Sequence, residues 1–260
     1  MPDSKVNLAI QLCEAGQWED GLREFQLAAD STSAGPEKAT ILLSQVDCLT
    51  KLGRLTQARE RFEQARNMMP KTDQARQELA YGEVDLLIAE GQLARALGNI
   101  QELRGDYVQY SAQPDYRALW EAIEIRRGLV LSALRRPKEA LPILEAAQGF
   151  EEVERPGSFF YSLAQCHYDV GNYDSAKQAV LEGFQRGYDG QTMLQARFLL
   201  GQLHYQQKAY ARALQEFEAC ESRLEELGVP RKVFYLWMEQ SCAGLNLHDR
   251  VEKYKQMGRG

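Results

Sequence analysis

The chain repeats part of its own sequence, and this repetition constrains the fold more than any other feature. The fourteen residues LAQCHYDVGNYDSA, beginning at Leu163, return 37 residues later as LGQLHYQQKAYARA, beginning at Leu200. A repeat at a fixed interval predicts a stack of similar units that pack on their neighbours. We therefore expect a single continuous domain over residues 1–260 rather than two ordinary domains.

The same skeleton extends through most of the chain. Each unit carries a small residue, a larger apolar residue four positions later and another small or apolar residue three positions after that, which is one stripe of a helix. The small residues are Gly21, Ala58, Ala96, Ala140, Ala176 and Ala213. About five positions earlier, Gly16, Gly53, Gly91 and Gly171 mark tight helix-to-helix turns that need glycine at positive φ. Arg135 and Lys208 hold that place in the other two units.

The apolar periodicity predicts helical hairpins nearly everywhere, and no strand pattern persists. The predicted helix pairs are 4–15 with 18–31, 37–52 with 55–68, 73–90 with 93–110, 115–134 with 137–150, 157–170 with 173–187, 191–207 with 210–227, and a degenerate last pair, 232–246 with 248–257. The six repeats thus span 4–31, 37–68, 73–110, 115–150, 157–187 and 191–227, and the C-terminal cap spans 232–257.

Prolines support these boundaries, because proline is tolerated before a helix and not inside it. Pro36, Pro70, Pro114, Pro156 and Pro230 all fall between units. Pro142 lies within the predicted helix 137–150, which we expect to be distorted there or to begin later. The extra residues at 104–114 predict a surface insertion, an extended helix or a contact site.

Composition narrows the functional classes. With 31 basic and 37 acidic residues, the net charge of −6 offers no general attraction to nucleic acid. Five scattered cysteines without a C-x-x-C pair indicate reduced thiols, and the cytoplasm is the expected location. No apolar run reaches the ~18 residues of a membrane span, and the N-terminus lacks the apolar stretch of a leader. We expect a soluble chain without a cofactor, and the chain could be the regulatory segment of a longer protein.

In these features the sequence resembles the tetratricopeptide repeat family. The elements that carry the resemblance are small residues within the first helices, glycine followed by an apolar residue at the turns (Gly16 and Trp18, Gly171 and Tyr173) and the stripe of small and aromatic residues in the second helices. The resemblance implies an all-α fold, a right-handed α-α superhelix of about six helical hairpins plus the cap. It also implies a non-enzymatic module whose first helices line a concave groove for an extended peptide or a partner helix.

By the geometry of that family, one face of the first helices is the groove. Tyrosine combines a large contact area with a low entropy cost, and glutamine can pair with a peptide backbone. The alternative is that these side chains only pack neighbouring helices together. The candidate groove residues are Tyr81, Asp85, Arg126, Tyr161, Gln165, Tyr168, Phe198, Gln202 and Tyr205. The aspartates indicate a groove that becomes acidic toward its N-terminal end, or simply a solvated polar face.

Some members of the family hold a C-terminal carboxylate with Lys, Asn and Arg on the first helices. The matching positions here carry Val6, Ile10, Ser44, Glu78 and Gly82, so that clamp is missing. His167 and His204 occupy equivalent places on successive first helices and lack further ligands at zinc-binding spacing, so packing is the favoured interpretation. No phosphate-binding or hydrolase motif occurs, and we expect no enzyme activity.

The last predicted pair contains the run VFYLWM at 233–238, ahead of a basic tail. A repeat array needs an atypical terminal unit that covers its last apolar face, which is the favoured interpretation. Aromatic side chains in excess of what the sixth repeat can bury would instead form a self-association surface. Our first hypothesis is therefore a peptide-binding adaptor, and the second is a scaffold that forms a homo-oligomer through its terminal units.

Overall fold

Helical hairpins account for nearly all of the secondary structure. The computed structural model describes residues 2–110, 113–151, 153, 155 and 157–259, and these residues include α-helices and one 3-10 helix but no strand. The predicted all-α class is therefore confirmed. Pro156, predicted to lie between units, is outside the described residues. Contacts divide the chain into two units, Met1–Val130 and Leu131–Gly260, with the boundary inside one helix.

Unit 1 contains three hairpins and most of a seventh helix. Its helices are α1 (Pro2–Glu14), α2 (Trp18–Ser31), α3 (Pro36–Lys51), α4 (Leu55–Met68), α5 (Asp73–Ala89), α6 (Leu93–Tyr107) and α7 (Pro114–Ala133). The predicted insertion at 104–114 contains the end of α6, a 3-10 helix at Val108–Tyr110 and the start of α7, and Ser111 and Ala112 lie outside the described residues.

Unit 2 continues the same alternation. Its helices are α8 (Pro137–Ala147), α9 (Gly157–Asp169), α10 (Tyr173–Arg186), α11 (Gly190–Gln206), α12 (Tyr210–Glu221), the short α13 (Leu224–Leu227), α14 (Arg231–Gly244) and α15 (His248–Met257). Most observed boundaries lie within two residues of the predicted ones. Pro142 sits inside α8, which begins at the predicted position.

In the described part of the chain, seven hairpins are joined by the same turn. At Gly53, the turn residue donates its N–H to the carbonyl of Thr50, and Arg54 donates to the carbonyl of Leu49. The equivalent pair of hydrogen bonds recurs in the other six turns, and the turn residue always has positive φ. Arg135, Lys208 and Asn246 adopt this conformation with φ of 57°, 58° and 57°. The hydrogen bonds of the turn therefore hold the backbone at positive φ even where the residue is not glycine.

Strain at these non-glycine turns predicts a stabilising substitution. We expect Lys208→Gly to raise the free energy of unfolding by about 1 kcal/mol, because glycine has no Cβ to clash at φ of 58°. Asn246→Gly is the matched control and should change it by less, since asparagine tolerates the left-handed region. Urea unfolding measures both values, and equal effects would contradict this explanation.

Small residues let neighbouring helices approach closely. A Cβ added to Gly201 would lie 2.5 Å from a ring carbon of Phe217, and one added to Gly244 would lie 2.5 Å from the ring of Tyr210. Phe217 is on α12, the partner of α11 in its hairpin, and Tyr210 is on α12, the preceding repeat's second helix, against which α14 packs. In both cases an aromatic ring occupies the space above the glycine. The small-residue pattern seen in the sequence is therefore a pattern of helix contact.

The cap helices α14 and α15 bury the aromatic run that the sequence left open to two interpretations. Phe234 and Tyr235 are buried, and Trp237 packs against Tyr205 and Phe217 at centroid distances of 5.3 and 6.3 Å. Of this run, Val233 and Leu236 remain exposed. Its aromatic rings thus serve the core of unit 2, as expected of a terminal unit, and the self-association hypothesis loses the observation that motivated it.

Candidate functional site

In unit 1, the first helices of the hairpins surround a cavity of about 550 Å³. Residues of α1, α3, α5 and α7 line it, together with Trp18 and Phe25 of α2. Its apolar wall includes Ile10, Trp18, Leu43 and Leu86. Ile10 is 43% exposed, although it belongs to that wall. An open apolar wall of this size is a typical binding surface for a ligand side chain.

Three of the predicted groove residues meet at one end of this cavity. The Arg126 guanidinium donates two hydrogen bonds to the Asp85 carboxylate, at 2.9 Å from Nε and 2.7 Å from Nη2. Its central carbon also lies 5.2 Å from the centroid of the Tyr81 ring. Such a bidentate pair fixes both side chains, and the ring gives the guanidinium an additional favourable contact.

The charge of Arg126 controls the ionisation of Asp85. Burial alone would raise the pKa of the Asp85 carboxyl, but the hydrogen bonds and charge of Arg126 together outweigh it and hold that pKa below its ordinary value. Asp85 is therefore ionised, and the positive charge of Arg126 balances its negative charge.

Three other carboxylates on the cavity form no ion pair with the residues that the structure describes. They belong to Glu14, Asp47 and Glu78. Burial by the cavity walls raises the pKa of Asp47; the charge of Asp85 adds to the effect, while Lys51 and Arg126 oppose it. A cationic group placed here would relieve this unfavourable environment. The sequence left an acidic groove and a solvated polar face open at this end, and the structure places these carboxylates on the lining of the cavity.

Four positions that carry the carboxylate clamp in other members of the family also line the cavity. They are occupied by Ile10, Ser44, Glu78 and Gly82. The positions that carry basic residues in those family members therefore face the cavity, and in this chain the lining is apolar and acidic. Sequence reasoning missed the α1 contribution of Glu14 and Cys13, because the list of groove residues began at Tyr81, in the third repeat. Extending the repeat register back to the first repeat gives Val6, Ile10 and Cys13, so it would have found Cys13; Glu14 is one position beyond that register.

In unit 2, the other predicted groove residues make mostly intramolecular contacts. The Tyr161 hydroxyl donates to Gln165 Oε1 at 3.4 Å, and Gln165 Nε2 donates to Asp169 at 2.8 Å. Tyr168 and Tyr205 pack on the tyrosines that open the following helices, Tyr173 and Tyr210, at 5.5 and 5.4 Å. These half-buried rings bridge successive helices, as the packing alternative expects.

Phe198 has a different environment from the other members of that set. Only 8% of it is exposed, and its ring stacks on Phe234 at 5.9 Å and contacts Phe217 at 5.5 Å. It is a core residue of unit 2. Gln202, one turn further along α11, is half-buried.

The histidines that suggested a metal are buried within the packing of unit 2. His167 and His204 are 6% and 7% exposed. Burial lowers the pKa of both imidazoles; for His204, Lys177 and Arg212 act in the same direction. Among the residues that the structure describes, no cluster of three His, Cys, Asp or Glu side chains could hold a metal ion.

The lowered pKa of His204 predicts a dependence of stability on pH. Because the folded protein binds the proton more weakly than the unfolded chain, stability should fall as the pH drops below about 6.5. The variant His204→Gln should show a smaller decrease in the free energy of unfolding between pH 7 and pH 5. Urea titrations at several pH values provide the measurement, and identical profiles would contradict the assignment.

A comparison with protein families agrees with this architecture. The sequence pattern of the tetratricopeptide repeat matches residues 6–74 and 161–222, about half of the chain. The chain belongs to the tetratricopeptide repeat family. Proteins of this family are generally non-catalytic scaffolds for interactions with other proteins. No curated protein matches the sequence at a significant level.

Several solved tetratricopeptide-like structures have the same fold. PilF of Pseudomonas aeruginosa superimposes with a TM-score of 0.61 at 14% identity, covering 93% of this chain and 96% of PilF. A Rap protein complexed with Competence and Sporulation Factor gives 0.70 at 11% identity, covering 99% and 75%. A tetratricopeptide repeat protein from Parabacteroides merdae gives 0.53 at 15% identity, covering 99% and 93%. At these identities the likeness shows the fold alone. In the described part of the chain, no helix is long and apolar enough to span a membrane.

Proposed function

We propose that this tetratricopeptide protein is a non-enzymatic adaptor that binds a peptide segment of a partner protein, and that the cavity of unit 1 receives a basic side chain of that segment. The observation that carries the proposal is the lining of the cavity. There Glu14, Asp47 and Glu78 form no ion pair with a described residue, and an open apolar wall lies next to them. A lysine or arginine flanked by an apolar residue fits both features.

Charge complementarity argues against an anionic ligand. Arg126 is the cation that lines the cavity, and Asp85 already occupies its guanidinium. An anionic ligand would have to displace Asp85, whereas a cationic one meets carboxylates that are still unpaired. Breaking a hydrogen-bonded charge pair that is partly removed from water is costly, so the cationic ligand is favoured.

The groove residues of unit 2 extend the same proposal. Tyr161, Gln165, Tyr168, Gln202 and Tyr205 are half-buried. We assign them contacts with the backbone of a bound peptide. Because their rings also pack within unit 2, the informative variants are Tyr168→Phe and Tyr205→Phe, which remove a hydroxyl and keep the ring.

Selection from a random peptide library on the purified full chain tests the proposal. We expect selected peptides to carry lysine or arginine beside an apolar residue. The double variant Asp47→Asn with Glu78→Gln should bind such a peptide about tenfold more weakly, since each exposed charge pair contributes about 0.2–1 kcal/mol. Fluorescence anisotropy at low and physiological salt measures the affinity, and the difference should shrink as salt rises.

The matched control removes two carboxylates outside the cavity. Glu60 on α4 and Glu225 on α13 are both exposed, and Glu60→Gln with Glu225→Gln should leave the affinity within twofold. Selection of acidic peptides, or equal affinity for the cavity variant and this control, would refute the proposal, provided that circular dichroism shows both variants folded.

A further inference from the structure

Two cysteines from successive repeats face each other at the wall of the unit 1 cavity. Sγ of Cys13 on α1 lies 3.3 Å from Sγ of Cys48 on α3. Cys13 is half-buried, Cys48 is 1% exposed, and both belong to the cavity lining. Of the cysteines in the described residues, no other two lie within hydrogen-bonding distance of each other.

The local structure makes room for this contact. A Cβ added to Gly21 would lie 2.4 Å from Cys13 Sγ, so the glycine at this place, where the five other repeats have alanine, leaves space for the thiol. The repeat in unit 2 provides a comparison. Ser132 and Cys166 occupy the positions equivalent to Cys13 and Cys48, three residues before one turn residue and five residues before the next. The first repeat thus has a thiol where the fourth has a hydroxyl.

We propose that Cys13 and Cys48 are a modification site at which a low-molecular-weight disulfide, such as oxidised glutathione, reversibly oxidises the two thiols to a disulfide between the first two repeats. The inference concerns the thiols alone and does not depend on the proposed peptide ligand. Closing a contact of 3.3 Å to a bond of about 2.05 Å needs only a small displacement of the two side chains.

The reaction balances as two exchange steps. Cys13, which is the more accessible thiol, loses its proton, and its sulfur attacks one sulfur of the oxidant; a mixed disulfide forms and one thiolate leaves. Cys48 then loses its proton and attacks Cys13 Sγ, which forms the internal disulfide and releases the second thiolate. Two electrons pass from the protein to the oxidant, which leaves as two thiols. Burial raises the pKa of both cysteines, so the exchange is slow.

The test incubates the folded full chain in glutathione buffers with an increasing oxidised share. Without alkylation, the intact mass of the oxidised chain should be two hydrogen atoms below that of the reduced chain. After alkylation of the free thiols, it should carry three alkyl groups where the reduced chain carries five, and peptide mapping should find Cys13 joined to Cys48. Cys166, Cys220 and Cys242 should remain alkylated. Since the link closes a separation of 35 residues, the oxidised form should melt about 5 °C or more above the reduced form.

Variants distinguish this site from non-specific oxidation. In Cys48→Ser, Cys13 should stop at the mixed disulfide with glutathione. In Ser132→Cys, a second link, to Cys166, should appear because the equivalent position gains a thiol. The proposal is overturned if Cys13 and Cys48 link only after unfolding in denaturant. It is also overturned if Cys13 in the native chain accumulates as the mixed disulfide, or if Ser132→Cys forms its link while the native pair does not.

Discussion

Phe217→Ala should lower the free energy of unfolding of unit 2 by about 4 kcal/mol, the cost of removing a fully buried aromatic ring. Phe217 is 0% exposed and contacts Phe198, Phe234 and Trp237. It also fills the space above Gly201. Its loss therefore leaves a cavity where three helices meet, α11, α12 and α14.

The measurement must report on unit 2. Replacing Trp18 and Trp120 by phenylalanine leaves Trp237 as the single tryptophan, and its fluorescence follows urea unfolding of the surrounding core. The control Leu181→Ala removes an apolar side chain that is 46% exposed on α10, and it should change the free energy by less than about 0.5 kcal/mol. Similar values for both variants would mean that Phe217 does not organise this core.

Gly157→Ala should destabilise the same unit by about 2–3 kcal/mol through overpacking. An added Cβ would lie 2.3 Å from the carbonyl oxygen of Gly187 and 2.9 Å from the Tyr188 ring. The first of these is backbone, at a residue with φ of 89°, so relief requires the loop between α10 and α11 to move.

Gly190→Ala is the matched control for that substitution. Gly190 also begins a helix, α11, but it is exposed, and an added Cβ would meet only the end of Arg223 at 3.8 Å. We expect no loss of stability there. In the background with Trp237 alone, urea unfolding compares the two variants directly. A loss at Gly190 equal to that at Gly157 would show that the helix start, and not the close approach, disfavours alanine.

The sequence predicted the hairpins well because their signals are local. Turn glycines, prolines between repeats and the apolar stripe each act within a few residues, so the start of α10 at Tyr173 was found directly. Local signals failed at the end of the sixth repeat. There a single helix was expected over 210–227, whereas α12 ends at Glu221 and a short α13 follows.

The candidate site was predicted less completely. Helical spacing shows which residues share a face of a helix, but it does not show how deeply each of them is buried. Phe198, Gln202 and Tyr205 share a face of α11, yet Phe198 is in the core because Phe234, from the cap, lies against it. Asp85 and Arg126 were both predicted to be groove residues, but their ion pair, which joins positions 41 residues apart, was not predicted. The contact between Cys13 and Cys48 depends on the distance between two helices, which no local pattern sets.

The uniform turn also bears on how such a chain can change over evolutionary time. Four of the seven turns have glycine and three have Arg135, Lys208 or Asn246, yet the hydrogen bonds are the same. A single substitution at a turn therefore weakens a hairpin without abolishing it, and selection can act on the exposed side chain that results. The repeats therefore share the backbone conformation of the turn, while the residue at the turn position differs between them.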